Sequence, residues 1–268
     1  MPRLRTILLV PLAVFAALYA TAAIKIANDD RTAPAMLQAP ASFQKIAIFG
    51  ATGTAGDGIL MAAMADANVE EIQVITRRAS PRIDAGVASG KVKMTLHTDY
   101  LDYAAVHEQI ADMDAVFWAI GISSIGMDEE AYGRIHVDFP LRFVTEWGGV
   151  STKPDISFHY ISSSDISDDS SAMWAREKVR AEKALFQFAE GTDMRVIAYR
   201  PDYIGPTKEE ASLGQSILYG FFAPVSAAVK ARQIGQAMIE VTARGTEFKN
   251  GDKLNTRKII RYSDAYEN

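Results

Sequence analysis

The sequence predicts an α/β fold, a doubly wound parallel sheet that forms a single domain behind an N-terminal apolar helix. Two observations lead to this prediction. Short apolar runs of strand length alternate with longer segments of helical periodicity from residue 45 to about residue 245. The first such run, Ile46 to Phe49, passes directly into a glycine-rich turn with a helical pattern behind it. Strands and helices that alternate in this way form parallel sheets, whose ligands bind at the carboxyl ends of the strands.

The glycine-rich turn has the composition of a loop that binds the pyrophosphate of a dinucleotide. We expect Gly50 to make the tight turn, Gly53 to let the backbone approach the phosphates, and Gly56 to let the helix pack closely on the strand. The N–H groups of the first helical turn would then bind the phosphates. The loop contributes three further residues to this predicted site, Thr52, Thr54 and Ala55. The alternative is a glycine-rich turn that binds nothing, because the spacing differs from Gly-x-Gly-x-x-Gly.

The second predicted strand, Glu71 to Arg78, ends in two arginines. In dinucleotide-binding sheets the end of this strand meets the adenosine ribose, where an acidic residue selects NAD and an arginine accommodates the 2′-phosphate of NADP. Arg77 and Arg78 occupy that place and no acidic residue does, so we predict NADP as the cofactor, with NAD as the alternative. The competing interpretation is a pair of solvated arginines at a strand end.

The third and fourth predicted strands add candidate residues for the same ligand. Val92 to His97 is followed by Asp99, which we expect either beside the adenine or at the start of the next helix. The fourth strand, within residues 114–124, runs into a loop of small residues. There Ala119 and Gly121 would let the cofactor pass close over the strand end.

The second half of the chain continues the alternation. Glu129 to Glu146 has the apolar recurrence of a long helix, which Pro140 should kink or divide. Strands are predicted over Ile156–Ile161, which runs into three serines, and over Val196–Arg200.

Three segments close the chain. An uncharged segment with several aromatic residues, Leu213 to Val225, could pack as core, cover a substrate pocket or touch a membrane, with core as the default. Ala231 to Ala243 has the periodicity of an amphipathic helix. Lys249 to Asn268 is polar, and we expect it to be peripheral.

Several motifs in this order resemble the short-chain dehydrogenase/reductases, in an extended or atypical form. The chain specifically resembles the NAD-dependent epimerase/dehydratase family and its relatives of the HIV Tat-interacting oxidoreductase type, over residues 45 to about 245. The matching motifs are Gly50-Ala-Thr-Gly-Thr-Ala-Gly56, Gly121-Ile-Ser-Ser-Ile-Gly-Met127, Ser162-Ser-Ser164, Met173-Trp-Ala-Arg-Glu-Lys178 and Arg200-Pro-Asp-Tyr-Ile-Gly-Pro206. The resemblance implies a Rossmann fold and an NAD(P) cofactor.

The resemblance also implies a catalytic site that is incomplete in this chain. In the superfamily a serine or threonine after the fifth strand polarises the substrate carbonyl, and Tyr-x-x-x-Lys on the next helix supplies the proton. Ser164, or its neighbour Ser163, matches the serine, and Lys178 matches the lysine that also holds the cofactor ribose. Trp174 stands in the tyrosine position, and an indole N–H does not titrate as an acid or base. Tyr203, after the sixth strand, is the candidate substitute.

Composition excludes several other classes of function. Twenty-eight lysines and arginines against 33 aspartates and glutamates give a net charge of −5, which argues against nucleic acid as a partner. The chain has no cysteine, so disulfides and thiol catalysis are excluded. Its four histidines are scattered without a His-x-x-x-His pair, so no metal site is predicted.

The N-terminus carries a run without charged residues, Thr6 to Ile24, about as long as a bilayer-spanning helix. It is followed by a Pro/Ala-rich tract that precedes the first strand. We therefore predict a single-pass membrane anchor or signal segment over residues 1–28, a linker over 29–41 and the dinucleotide-binding domain over 42–268. A retained anchor is favoured over a cleaved signal peptide with export, and a helix of the domain core is least favoured.

Two hypotheses of function follow from these features. The first is an NADP-dependent oxidoreductase or isomerase, weakly active on an unknown small carbonyl compound, as Ser164 and Lys178 suggest. The second is a catalytically silent module that binds a dinucleotide and acts as a sensor or scaffold at a membrane, as Trp174 suggests.

Overall fold

The computed structural model describes the backbone of residues 2–209 and 211–267, and the side chains of residues 11–209 and 211–267. The strands in this part of the chain are β1 Lys45–Phe49, β2 Glu71–Thr76, β3 Val92–Leu96, β4 Ala115–Trp118, β5 Ser157–Ile161, β6 Arg195–Arg200, β7 Tyr203–Gly205, β8 Ala228–Lys230 and β9 Lys253–Asn255.

The helices connect these strands and flank the chain. Over the same described residues they are α1 Pro2–Ala27, α2 Thr54–Ala65, α3 Pro81–Ala88, α4 His107–Ile110, α5 Glu129–Gly133, α6 Phe139–Val150, α7 Met173–Ala189, α8 Leu213–Phe222, α9 Ala231–Ala243 and α10 Thr256–Tyr266. A π turn, Arg134–Asp138, joins α5 to α6, and short 3₁₀ turns precede α4 and follow α8 and α9.

Seven strands form one parallel sheet, in the order β3-β2-β1-β4-β5-β6-β9. The order runs outward in both directions from the β1–β4 pair, which is the strand arrangement of the doubly wound Rossmann fold. This confirms the predicted fold class. The two remaining strands, β7 and β8, form a separate parallel pair beyond the sheet.

Both faces of the sheet are covered by helices, so the central strands are apolar along their whole length. Ile48 belongs to a core formed with α2, α9 and α10, in which Ile234 is fully buried. Phe49, the next residue, points to the opposite core, formed with α6 and α7 around Phe143. The sheet is therefore the middle of three layers, and its carboxyl edge remains free for a site.

The last strand of this sheet was not predicted from the sequence. The polar end of the chain, predicted to be peripheral, instead contributes β9, which pairs in parallel with β6, and α10, which packs on α9. Leu254 and Ile259 are buried there, so that prediction is wrong. Pro140 does not interrupt the helix that contains it: α5, the π turn and α6 follow one another without a break, and the π turn ends immediately before α6, whose first turn contains the proline.

The segment between α1 and β1 lies against the domain. Ala41 N–H donates to the Ala243 carbonyl at 2.6 Å, and the buried Arg244 guanidinium donates to the Pro34 carbonyl at 2.9 Å. At the other end, Tyr19 of α1 stacks on Phe221 of α8 with ring centroids 5.3 Å apart. The N-terminal residues thus pack along α8, α9 and the turn after α9.

Within the part of the chain whose residues are described, no helix combines the length and the apolarity needed to cross a membrane. Within the predicted anchor or signal segment, residues 1–28, the side chains of residues 1–10 lie outside those that the structure describes.

Candidate functional site

The candidate site lies where β1 and β4 end side by side. Ala119, just beyond β4, donates its N–H to the carbonyl of Phe49 at 2.9 Å, which fixes the two strand ends together. The strand order reverses at this pair, and in open α/β sheets ligands bind in the crevice at such a reversal. Gly121 is exposed at the mouth of this crevice, and Ala119 is half-buried.

Two glycines shape the turn after β1 as the sequence predicts. Gly50 has φ +78°, and a Cβ atom there would lie 2.5 Å from the backbone C and O atoms of Ala119. A Cβ atom on Gly56 would overlap the carbonyl oxygen of Gly50. Gly50 therefore makes the tight turn, and Gly56 lets α2 begin directly against the strand end.

The start of α2 is open toward the crevice. Among the described residues no side chain caps this helix, and its first intrahelical hydrogen bond runs from Asp57 N–H to the Gly53 carbonyl, at 2.8 Å. Gly53 and Thr54 are exposed, and among the described residues, apart from its chain neighbours, only the Gly50 carbonyl lies within 4 Å of the place that a Gly53 Cβ would take. The uncapped N–H groups and the glycine surface fit a phosphate group. Binding through Thr52, Gly53, Thr54 and Ala55 stays a prediction.

The buried carboxylate of Asp57 in α2 is neutralised by the protein itself. Arg82 of α3 binds it through two nitrogens, at 2.7 and 3.0 Å, and the Thr207 hydroxyl donates to it at 2.7 Å. A negative charge in the first turns of α2 would otherwise weaken binding of a pyrophosphate. The sequence did not single out Arg82 or Thr207, because their contact with Asp57 joins segments 25 and 150 residues apart.

The adenosine end of the predicted site carries two exposed arginines. Arg77 and Arg78 follow β2, and within the described residues neither guanidinium forms an ion pair or a hydrogen bond. Asp99 is exposed and accepts the N–H of Leu101 at 3.0 Å, which closes a local turn. It does not cap the following helix, since Asp102 accepts the N–H of Ala104 at the start of that 3₁₀ turn.

Lys178 of α7 is buried at the carboxyl end of β5. Its ammonium donates to the Ile161 carbonyl at 2.9 Å and to the Tyr160 hydroxyl at 3.3 Å. The Tyr160 hydroxyl in turn donates to the carbonyl of His136, in the π turn, at 3.0 Å. Burial lowers the pKa of Lys178 to about 7, and the nearby carboxylate of Glu182 offsets part of this effect.

Polar atoms without partners surround this lysine. The Ser162 hydroxyl and the His136 Nδ1 atom are buried and have no hydrogen-bond partner among the described residues. Burial, with a smaller effect from Lys178, lowers the pKa of His136 to about 2, so its ring is neutral. A buried polar group without a partner is costly and is often found where a ligand or water binds. Sequence reasoning missed His136 and Tyr160; the one available signal was the position of Tyr160 just before the serine run.

The other predicted catalytic residues lie around α7 and β7. Trp174 is half-buried in the first turn of α7, one turn before Lys178, and makes no hydrogen bond among the described residues. Ser164 is half-buried after β5, with its N–H bound to the Pro201 carbonyl at 3.1 Å. Tyr203 points to α8, where its hydroxyl donates to the Gln215 carbonyl at 3.5 Å. The structure records no contact that joins Tyr203 to Lys178 or Ser164.

The burial of Lys178 predicts a pH dependence of stability. Between about pH 7 and the ordinary lysine pKa of 10.5 the unfolded chain binds one proton that the folded chain lacks. Stability therefore rises with pH in this window, by up to about 1.4 kcal/mol per pH unit. In Lys178→Met this contribution is absent, so urea unfolding from pH 6 to 10 should show the wild type gaining stability relative to the variant.

Lys183→Met is the control for this measurement, since Lys183 lies on the same helix but is exposed and paired with Asp168 at 2.7 Å. The difference in free energy of unfolding between the wild type and Lys183→Met should not rise with pH as the difference for Lys178→Met does. A constant stability difference between wild type and Lys178→Met from pH 7 to 10 would contradict a buried, readily deprotonated Lys178.

The fold of this chain is similar to those of solved short-chain dehydrogenase/reductases. A 3-oxoacyl-[acyl-carrier protein] reductase from Brucella melitensis, in complex with NAD, matches it with a TM-score of 0.62 at 13% identity, over 82% of this chain and 98% of that chain. A short-chain dehydrogenase/reductase from Serratia marcescens matches with a TM-score of 0.62 at 14% identity, over 81% of this chain and 97% of that chain.

A UDP-glucuronic acid 4-epimerase mutant from Bacillus cereus, in complex with NAD and a fluorinated UDP-glucuronic acid, matches with a TM-score of 0.60 at 13% identity, over 80% of this chain and 77% of that chain. No protein-family model matches the sequence, and no curated protein matches it. At these identities the likeness establishes the fold, so the argument for a cofactor and a reaction rests on the residues of the site.

Proposed function

We propose that this protein binds NADP, with NAD as the alternative, in the manner of the short-chain dehydrogenase/reductases. The observation that carries the proposal is the turn after β1, where Gly50 at φ +78° leads into an uncapped helix at the reversal of strand order. The sequence motifs support a more specific placement among epimerase/dehydratase-like proteins and the HIV Tat-interacting oxidoreductase type. Solved relatives of this fold in complex with NAD support the same cofactor class.

The preference for NADP rests on Arg77 and Arg78. Charge-assisted hydrogen bonds contribute about 1.5–3 kcal/mol each, so each arginine that binds the 2′-phosphate should raise affinity by roughly one to two decades. Titration calorimetry should therefore show tighter binding of NADP than of NAD. Arg77→Ala combined with Arg78→Ala should remove that difference and leave NAD affinity nearly unchanged.

The matched control is Lys249→Ala with Lys258→Ala, which removes two exposed cations beside β9, at the opposite edge of the sheet from the arginines. It should keep the preference for NADP, because only the overall charge changes. Equal affinities of the wild type for NADP and NAD would refute the proposal that Arg77 and Arg78 bind the 2′-phosphate.

The chemistry that fits the site best is slow oxidoreduction or isomerisation of a small carbonyl compound. A nicotinamide cofactor, when bound, supplies or accepts the hydride. The chain would bind the cofactor ribose through Lys178 and polarise the carbonyl through Ser164, while Trp174 supplies no proton. Tyr203, directed toward α8, would need a different side-chain orientation to donate one.

A catalytically silent dinucleotide sensor or scaffold is the second candidate function. Trp174 favours it directly, because the position that precedes Lys178 by one turn holds a side chain that cannot exchange a proton. Turnover and binding separate the two candidates: the silent module binds the dinucleotide without turning over carbonyl compounds.

We also propose that the N-terminal segment tethers the protein to a membrane. The support is the uncharged run from Thr6 to Ile24, together with the exposure of large apolar side chains on α1, among them Leu12, Phe15 and Leu18. The alternative is export followed by removal of this segment.

A further inference from the structure

The helix α8 has its aliphatic side chains and Phe221 on the outside, whereas Tyr219 and Phe222 are half-buried. One face, with Gln215, Ser216 and Tyr219, lines a cavity of about 480 Å³ between α8, the end of β7 with the segment that follows it, and the start of α9. The opposite face carries Leu213 and Ile217, which are 79% and 63% exposed. A surface helix normally turns its apolar stripe toward the core and its polar residues to solvent. The reversed arrangement indicates that something apolar covers the outer face of α8.

The outer face of α8 continues into α1. Phe221 of α8 stacks on Tyr19, and the Tyr19 hydroxyl donates to the Phe221 carbonyl at 2.6 Å. Phe15 lies one turn before Tyr19, with ring centroids 6.3 Å apart. We call the joined surface the apolar platform; its exposed members are Leu12, Phe15 and Leu18 of α1 with Leu213, Ile217, Leu218 and Phe221 of α8.

The charges around the platform are arranged as at a membrane interface. No charged residue occurs from Thr6 to Ile24 or from Ala211 to Val229, the two segments that supply the platform. Lys25 lies in the last turn of α1. Lys208 precedes the second segment, separated from it by Glu209 and Glu210, and Lys230 follows it directly. Lys208 and Lys230 also line the cavity and form no ion pair among the described residues. Apolar side chains bordered by lysines suit a bilayer that contains anionic lipids.

We propose that the apolar platform rests on the surface of a bilayer that contains anionic lipids, with α8 as a second contact beside α1. The inference rests on the proposed membrane tether and extends it to a segment 200 residues away in the sequence. In this arrangement the outer face of α8 enters the headgroup–acyl boundary by about 5–10 Å. Lys208 and Lys230 remain at the level of the lipid phosphates, and the cavity behind α8 opens at the membrane surface.

Site-directed spin labelling tests this arrangement on the 268-residue chain, which contains no cysteine. A nitroxide is attached to Ile217→Cys, and the control is Leu96→Cys on β3, since the two native side chains are 63% and 64% exposed. Each labelled protein is mixed with phosphatidylcholine vesicles, with and without phosphatidylserine. Collision rates with oxygen and with a water-soluble nickel chelate then report whether the label lies in lipid or in water.

The expected result is that vesicles with phosphatidylserine shield the label at position 217 from nickel and expose it to oxygen, while the label at 96 remains in water. Replacing both lysines, in Lys208→Gln with Lys230→Gln, should weaken vesicle binding by about fivefold for each cation.

If the chain binds vesicles but the label at 217 stays in water, the docking of α8 is overturned and the tether stands. If the chain does not bind vesicles, both proposals fail. Immobilisation of the label at 217 without vesicles, rising with protein concentration, would assign the platform to a second copy and overturn the proposal.

Discussion

Gly50→Ala is expected to cost more than about 4 kcal/mol in free energy of unfolding, or to prevent folding, although it adds a single methyl group. Two effects add at this position. A left-handed backbone at φ +78° costs a non-glycine residue about 1–2 kcal/mol, and the new Cβ would lie 2.5 Å from the backbone of Ala119. Because that neighbour is backbone at the end of β4, it cannot rotate away, and relief requires β1 and β4 to separate. Urea unfolding of the purified variant measures the loss.

Gly90→Ala separates the two effects. Gly90 follows α3 with φ +81°, close to the φ of Gly50, and within the part of the chain that the structure describes nothing lies within 4 Å of the place its Cβ would take. Its substitution should therefore cost only the conformational part, about 1–2 kcal/mol. If Gly50→Ala and Gly90→Ala cost the same, the close approach of the β1 turn to β4 would be absent in solution, and the proposed phosphate site would lose its geometric basis.

The central part of the fold was predictable because local and tertiary requirements agree there. β1 needs four consecutive apolar residues, since both faces of the sheet are covered, and the turn after it needs glycine for conformational and packing reasons that no other residue meets. Both requirements are visible in the sequence, as an apolar run followed by glycines. The same is true of α9, whose apolar periodicity predicted its observed range, Ala231–Ala243.

The last strand, β9, has no comparable pattern in the sequence. β9 has three residues, and only its middle residue, Leu254, is buried, so it shows neither an apolar run nor an alternation long enough to recognise. Its place is fixed by pairing with β6, with Ala198, Tyr199 and Arg200 opposite its three residues. Short edge strands of this kind are determined by the sheet they join, which the sequence of the strand does not contain.

The candidate site likewise contains residues that the sequence predicts and residues that it does not. The glycine turn and Lys178 could be found from motifs, because their spacing along the chain carries the information. The surroundings of Lys178 could not, because His136 reaches it through a π turn, a rare helical form that is frequent at functional sites. Likewise the neutralisation of Asp57 by Arg82 joins two helices whose relative position only the folded sheet defines.

Trp174→Tyr is expected to raise carbonyl reductase activity with NADPH above that of the wild type. The phenol would stand one turn before Lys178 on α7, where a proton donor could serve a carbonyl held near Ser164. General acid catalysis contributes about 10²–10⁴-fold, so even a poorly aligned phenol should give a measurable gain in kcat/KM. Cofactor affinity, measured by calorimetry, should change little, because the glycine turn and the arginines are untouched.

Trp174→Phe is the matched control, since phenylalanine removes the indole and leaves the same space around the ring as tyrosine but has no hydroxyl. Loss of packing by the half-buried indole should cost both variants about 1–3 kcal/mol, so unfolding curves are compared first. A gain in Trp174→Tyr that is absent in Trp174→Phe assigns the effect to the phenol. Fast turnover by the wild type that survives Trp174→Phe but collapses in Tyr203→Phe would place the acid on β7 instead, and the silent-module hypothesis would then be wrong.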